Sequence, residues 1–138
     1  MKRETVLIVE DDVAVRRMYR TALGFAGFDV IEVHDGTAAL HVLEQRTADL
    51  VILDLMLPTL SGLAVQQEIA SHARTRDIPI IIVTGSDMRL DDVKVTCILR
   101  KPISPELLVT TVRACVRSVP GVTEVTKGTK KIHNEAAK

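Results

Sequence analysis

The chain has 138 residues, enough for one compact domain with a real core and too few for two. Lys and Arg number 18 and so do Asp and Glu, so the net charge is zero, which argues against a strongly basic nucleic-acid binder and against a polyacidic tail protein. One Tyr, two Phe and no Trp leave too few rings to stack bases, while 46% hydrophobic residues exceeds what a disordered chain carries.

The first apolar run is Val6-Leu7-Ile8-Val9, ending in Glu10-Asp11-Asp12. It is too short for a signal peptide, and no run approaches the roughly 18 residues of a membrane span. A cytoplasmic protein with no membrane partner is expected. Val15, Met18, Tyr19, Ala22 and Ala26 then fall at helical spacing, and Gly27 stands where a left-handed residue ends a helix. A second strand is expected from Phe28 to Val33. Asp35-Gly36-Thr37 opens a second helix with Ala39, Leu40 and Leu43 on its inner face, and Leu50-Val51-Ile52-Leu53 makes the third strand. A helix over Ser61 to His72 and a strand over Ile78 to Val83 follow, then a last strand over Thr96 to Leu99. Ser104-Pro105-Glu106 starts the final helix, with Ser as N-cap, Pro in the first turn and a carboxylate at the positive dipole end.

Continuous Val, Ile and Leu runs suit strands buried on both faces, and their alternation with helices predicts an open parallel sheet with right-handed crossovers. Only eleven residues separate Thr84 from Thr96, so the helix between those strands is expected to be short. Cys97 and Cys115 read as reduced core thiols, a disulfide carrying little weight in a chain with no export signal. Residues 1–118 form the domain, and residues 119–138, with four Lys and two Glu after Pro120, read as a disordered basic tail or truncated linker.

In parallel sheets the ligand site lies beyond the C-terminal strand ends. Those ends carry Glu10 and Asp11, Asp54, Thr84 and Lys101. Each has an ordinary reading: Asp12 caps the first helix, Glu10-Asp11 is a solvated turn, and Thr84 or Lys101 alone signifies nothing. Asp54 is harder to dismiss, because a carboxylate amid apolar neighbours costs several kcal/mol unless it is paired or metal-bound. Oxygen-only ligands with open positions suit Mg²⁺, and a metal beside a free carboxylate with a Lys opposite suits phosphoryl transfer.

Leu7-Ile8-Val9-Glu10-Asp11-Asp12, Asp54-Leu55-Met56-Leu57-Pro58 with Ser61-Gly62, Ile80 to Gly85, and Lys101-Pro102 together resemble the receiver domain of two-component response regulators. The resemblance covers residues 5 to about 118. It implies a flavodoxin-like doubly wound five-stranded parallel sheet of order 2-1-3-4-5 with helices on both faces, from which this chain departs in a fourth helix shortened by the brief connection between Thr84 and Thr96. Asp54 would be the phospho-acceptor, loaded from a sensor histidine kinase or histidine phosphotransfer protein. Asp11, Asp54 and the Met56 carbonyl would hold Mg²⁺ beside the other acid of the pair, Glu10. Lys101, followed by a cis bond to Pro102, would meet the phosphoryl group, and the Thr84 hydroxyl would swing onto it as the switch. The chain would be a signalling switch and not a turnover enzyme, acting on a downstream protein, with a phosphorylation-dependent dimer as an option. The further alternatives are a receiver cut from a longer DNA-binding or enzymatic regulator, and a phosphate-independent pseudo-receiver.

Two departures stand out. Ile98 occupies the place where receivers carry a switch aromatic, which puts ring-mediated coupling in doubt. Met56 and Ser86 flank the reaction centre without a carboxylate or amide, so slow self-dephosphorylation is expected. A dehalogenase-type phosphatase would need an acid at Met56, and a dinucleotide site would need glycines after the first strand instead of acids. His34, His41, His72 and His133 show no ligand pairing and are expected at the surface.

Overall fold

A computed structural model describes residues 2–85, 89–90, 95–116, 124–126 and 129–131. Five strands, β1 (Thr5–Val9), β2 (Asp29–Val33), β3 (Leu50–Asp54), β4 (Ile80–Thr84) and β5 (Cys97–Arg100), form one parallel sheet of order β2-β1-β3-β4-β5. Among the described residues four helices accompany them: α1 (Val13–Phe25), α2 (Gly36–Gln45), α3 (Gly62–Ser71) and α4 (Pro105–Val116).

Alternate strand residues face opposite sides, so the apolar runs feed two cores. Leu7, Val9, Val51, Leu53 and Ile82 pack with Ala39 and Leu43 of α2 and Val65 and Ile69 of α3. On the other face Val6, Ile8, Ile52, Ile81 and Leu99 pack with Tyr19 and Leu23 of α1 and Leu108 and Val112 of α4. Each fully buried aliphatic side chain contributes about 1.5–3 kcal/mol of transfer free energy.

The helix starts follow local chemistry. Asp12, Asp35 and Ser61 cap α1, α2 and α3 by accepting from the N–H of Val15, Ala38 and Ala64, and Ser104 does the same for Leu107 at the start of α4. Such a cap stabilises by about 1 kcal/mol. Gly27, at φ 97°, lets the chain turn from α1 into β2, as its position in the sequence suggests.

Boundaries shift for physical reasons. The fourth strand starts at Ile80 and not Ile78, because Pro79 has no N–H for the ladder and offers only its carbonyl, to the Val51 N–H at 3.0 Å. The second begins after Phe28, whose N–H closes the preceding helix on the Leu23 carbonyl. The last runs over Cys97–Arg100, its final residue paired with Thr84.

One expectation is corrected: Cys97 and Cys115 are joined in a disulfide. Expecting free thiols weighed the redox compartment alone. The fold places one cysteine on the inner face of β5 and the other on the inner face of α4, in the same core cluster. Within residues 119–138, β6 (Glu124–Thr126) pairs antiparallel with β7 (Thr129–Lys131). The shortened helix expected between β4 and β5, and Ser86, lie outside the described residues apart from 89–90.

Candidate functional site

The parallel sheet delivers its strand ends to one edge, and those of β1, β3, β4 and β5 bring the chemistry. Asp54 closes β3, which lies between β1 and β4, so its neighbours come from both sides. Glu10 follows β1, Thr84 closes β4, and Lys101 follows β5. The Lys101 N–H donates to the Thr84 carbonyl at 2.8 Å, tying the last two together. The Lys101–Pro102 bond is cis, as expected from the resemblance.

Lys101 is the hub. Its ammonium donates to Oε1 of Glu10 at 3.0 Å and to Oδ2 of Asp54 at 3.2 Å. Asp54 is only 4% exposed and Glu10 1%, so neither carboxylate is tolerable without such a partner. The remaining oxygens are also engaged: Oδ1 of Asp54 accepts the Met56 N–H at 3.0 Å, and Oε2 of Glu10 accepts the Asp12 N–H at 3.2 Å.

Burial pushes the Glu10 carboxyl up to about 7, against the downward pull of its bonds to Lys101 and the Asp12 N–H, with the Asp54 charge adding to the rise. For Lys101 burial works downward, but the hydrogen bond and charge of Glu10, followed by those of Asp54, outweigh it and hold the ammonium above its ordinary value. A pocket that strains to keep its negative charge favours an added cation.

Glu10, Asp11 and Asp54 each present an oxygen within 4.8 Å of the others. Asp11 is exposed while the other two are buried, so the cluster opens to solvent at one corner. An all-oxygen donor set with an open side fits a hard divalent cation of the Mg²⁺ kind, which retains several waters. The Met56 side chain is 66% exposed and points no polar group at the site. Thr84 is fully buried at the end of β4, the strand next to β3. Glu10, Asp11, Asp54 and Lys101 thus share one pocket, and Thr84 is tied to Lys101 through its backbone carbonyl.

Ile98 faces the α2/α3 side of the sheet, buried in one cluster with Ile82, Leu90 and Val95, an aliphatic setting at the place where receivers carry an aromatic. The described histidines stand outside this constellation: His34 lies against Asp35, His41 against Gln45 and His72 against Glu68, the last at 3.1 Å. His133 is outside the described residues.

Sequence reasoning did not single out Arg16 or Glu32. The Arg16 guanidinium donates to the Glu10 carbonyl at 2.9 Å and to Oε1 of Glu32 at 3.3 Å. The available signal was an Arg one turn into the helix that follows an acidic loop, able to reach back to that loop's carbonyls.

A family model described as "Response regulator receiver domain" matches residues 6–113. The "Probable transcriptional regulator ycf27" of Porphyridium aerugineum is 35% identical over 129 residues, covering 86% of this chain and 50% of that relative. The "Phosphate regulon transcriptional regulatory protein PhoB" of Pseudomonas aeruginosa is 35% identical over 130 residues, covering 90% and 57%. The chain therefore spans about half the length of these curated relatives. Among solved structures, the chemotaxis response regulator CheY4 of Vibrio cholerae is similar at a TM-score of 0.77 and 26% identity, covering 83% of this chain and 99% of that one. The receiver domain of a sensor histidine kinase from Pseudomonas aeruginosa, which holds a magnesium ion in its active-site cleft, is similar at 0.78 and 25% identity, covering 85% and 100%.

Proposed function

Because this chain belongs to the receiver-domain family of two-component response regulators, we propose that it accepts a phosphoryl group on Asp54 from a phosphohistidine of a sensor histidine kinase or phosphotransfer protein. The observation that carries this reading is the Asp54 carboxylate, 4% exposed, with an ammonium at 3.2 Å and two further carboxylates gathered beside it.

In the proposed step an Asp54 oxygen attacks phosphorus, the P–N bond of the donor breaks, and the released imidazole nitrogen keeps its electron pair and takes a proton. Asp11, Asp54, Glu10 and the Met56 carbonyl are the groups that would hold Mg²⁺. When bound, that ion neutralises charge on the phosphoryl oxygens. Lys101, now shared by Glu10 and Asp54, can turn one donor toward the new phosphoryl oxygen without leaving the pocket. Thr84 supplies a hydroxyl at the end of the neighbouring strand, and its closure onto the phosphoryl group is the switch that alters binding of a downstream protein. Because Met56 offers no polar group, the acyl phosphate is expected to hydrolyse slowly; a half-life of seconds would overturn that expectation. The molecule is then a cytoplasmic signalling switch, not a turnover enzyme.

The test is incubation with acetyl phosphate and Mg²⁺ followed by intact mass. A gain of one phosphoryl group, lost in Asp54→Asn, supports the proposal; no uptake with metal present points to a phosphate-independent receiver. A second reading is favoured by the coverage of the relatives: the chain would be the receiver of a longer transcriptional regulator. The length of the native open reading frame decides between that and a stand-alone switch, whose output would be partner binding, relay or dimerisation.

A further inference from the structure

The loop that carries the acidic pair is held from behind by groups outside the pocket. The Glu10 N–H donates to the Val33 carbonyl at 3.2 Å, on the β2 side. Its carbonyl accepts Nη1 of Arg16 at 2.9 Å, on the α1 side. Both ends of one residue are thus anchored, and the next residue is Asp11.

Arg16 is itself fixed. Its own N–H donates to the Asp12 carbonyl at 2.9 Å, the first turn of α1. Its Nε meets Oε1 of Glu32 at 3.3 Å, while Oε2 of the same carboxylate takes Nε of Arg20 at 3.2 Å. The Arg16 side chain is 18% exposed and that of Glu32 28%, so this pair is more sheltered than an ordinary surface bridge. Glu32 sits on β2 directly opposite Ile8 of β1, so the carboxylate that orients the guanidinium stands on the sheet itself. The order is sheet, carboxylate, guanidinium, loop carbonyl, metal-ligating loop. A planar guanidinium held by one charged partner presents its other donor in a fixed direction.

We propose that Arg16, oriented by Glu32, is a positioning residue for the divalent-cation pocket: it fixes the Glu10–Asp11 peptide so that Asp11 and Asp54 offer their oxygens at one spacing. This rests on the reading of Glu10, Asp11 and Asp54 as the cation site. Without the Arg16 bond the Glu10 carbonyl turns to solvent, the loop samples several orientations, and the cation must order it on binding. The penalty falls on metal affinity first. Groups that orient metal ligands in this way change affinity by about tenfold to a hundredfold when removed.

The experiment is a Mg²⁺ titration of the metal-free protein, followed by backbone amide shifts of residues 10–12 and 54–56 in two-dimensional NMR, with no phosphodonor present. Arg16→Met should weaken Mg²⁺ binding by about tenfold or more. Glu32→Gln, which keeps the size of the side chain but loses its charge, should weaken it severalfold, and Arg16→Lys should recover part of the loss. Arg17→Met, on the exposed side of the same helix, should bind as the wild type does. Thermal unfolding of the metal-free variants separates a positioning effect from a merely structural one: the affinity loss should appear in variants whose metal-free melting temperature is preserved. If Arg16→Met does not fold, Glu32→Gln and Arg16→Lys carry the test. Unchanged affinity in the folded variants overturns the proposal while leaving the cation site intact, whereas a wild type that does not bind Mg²⁺ overturns the reading on which it rests.

Discussion

Tyr19 is the chain's one tyrosine, with no tryptophan beside it, and it is 1% exposed on the inner face of α1. Burial, and then the negative charges of Glu10, Asp54 and Asp12, push its phenol above the ordinary value of 10. A group whose folded pKa is raised contributes stability that is complete below the unfolded value and is lost as pH climbs toward the folded one. On alkaline titration, tyrosinate absorbance should therefore stay low through the range where a free phenol ionises and rise together with loss of secondary structure; a simple ionisation of the native protein near pH 10 would sink this account. Thr59 shows the opposite kind of local cost. A β-branched residue at φ 62° is strained by about 1–2 kcal/mol, and its hydroxyl compensates only by bonding the Pro58 carbonyl. Thr59→Asn should raise the urea midpoint by the equivalent of about 1 kcal/mol, and a lowered midpoint would show that the threonine is not strained. Asp54 was legible in sequence because a carboxylate inside an apolar run has few affordable fates. Arg16 was not, because a side chain that bonds a backbone carbonyl leaves no periodicity behind.

At the scale of elements, the start of α3 governs where Asp54 sits. Gly62 packs directly on the backbone at the end of β3, its N–H donating to the Leu55 carbonyl at 3.0 Å. A Cβ there would fall 2.6 Å from the Leu55 Cα and against the Asp54 carbonyl oxygen, atoms that cannot move without moving the strand end. Gly62→Ala should destabilise by about 1–3 kcal/mol and slow phosphorylation by acetyl phosphate as well; a variant of wild-type stability would contradict the packing. Element identities were readable because each cap residue and each continuous aliphatic run has a local physical cause. Strand ends were less so: Pro79 and the Thr84–Arg100 pairing are decided by which neighbour supplies the ladder. The Cys97–Cys115 link depends on two inner faces meeting across a helix and a strand, which spacing along the chain does not encode. A thiol titration of the denatured, unreduced protein should find no free cysteine, and two free thiols would refute the link.

For the whole molecule, a formal charge of zero hides an uneven distribution, with Glu10, Asp11 and Asp54 crowded at one edge and, among the described residues, the Lys101 ammonium between them. A ligand that binds only the folded state adds stability as RT ln(1 + [L]/Kd), about 2.7 kcal/mol at a hundredfold excess over Kd. Mg²⁺ should therefore raise the melting temperature of the wild type and leave Asp11→Asn plus Asp54→Asn nearly unmoved; equal shifts in both would place the cation elsewhere. The sheet order was within reach of the sequence through the family resemblance, since right-handed crossovers alone narrow the topology only to an open parallel sheet.

The Lys101 ammonium reaches Glu10 across 91 positions of chain and Asp54 across 47. During synthesis Asp54 leaves the ribosome well before the lysine that meets it, and no piece ending ahead of β5 contains both halves of the pocket. A nascent or prematurely terminated chain thus carries the aspartate without its counter-cation. Only a chain that has passed β5 can close the pocket, so any cation or ligand that needs both halves meets finished domains and not translation in progress.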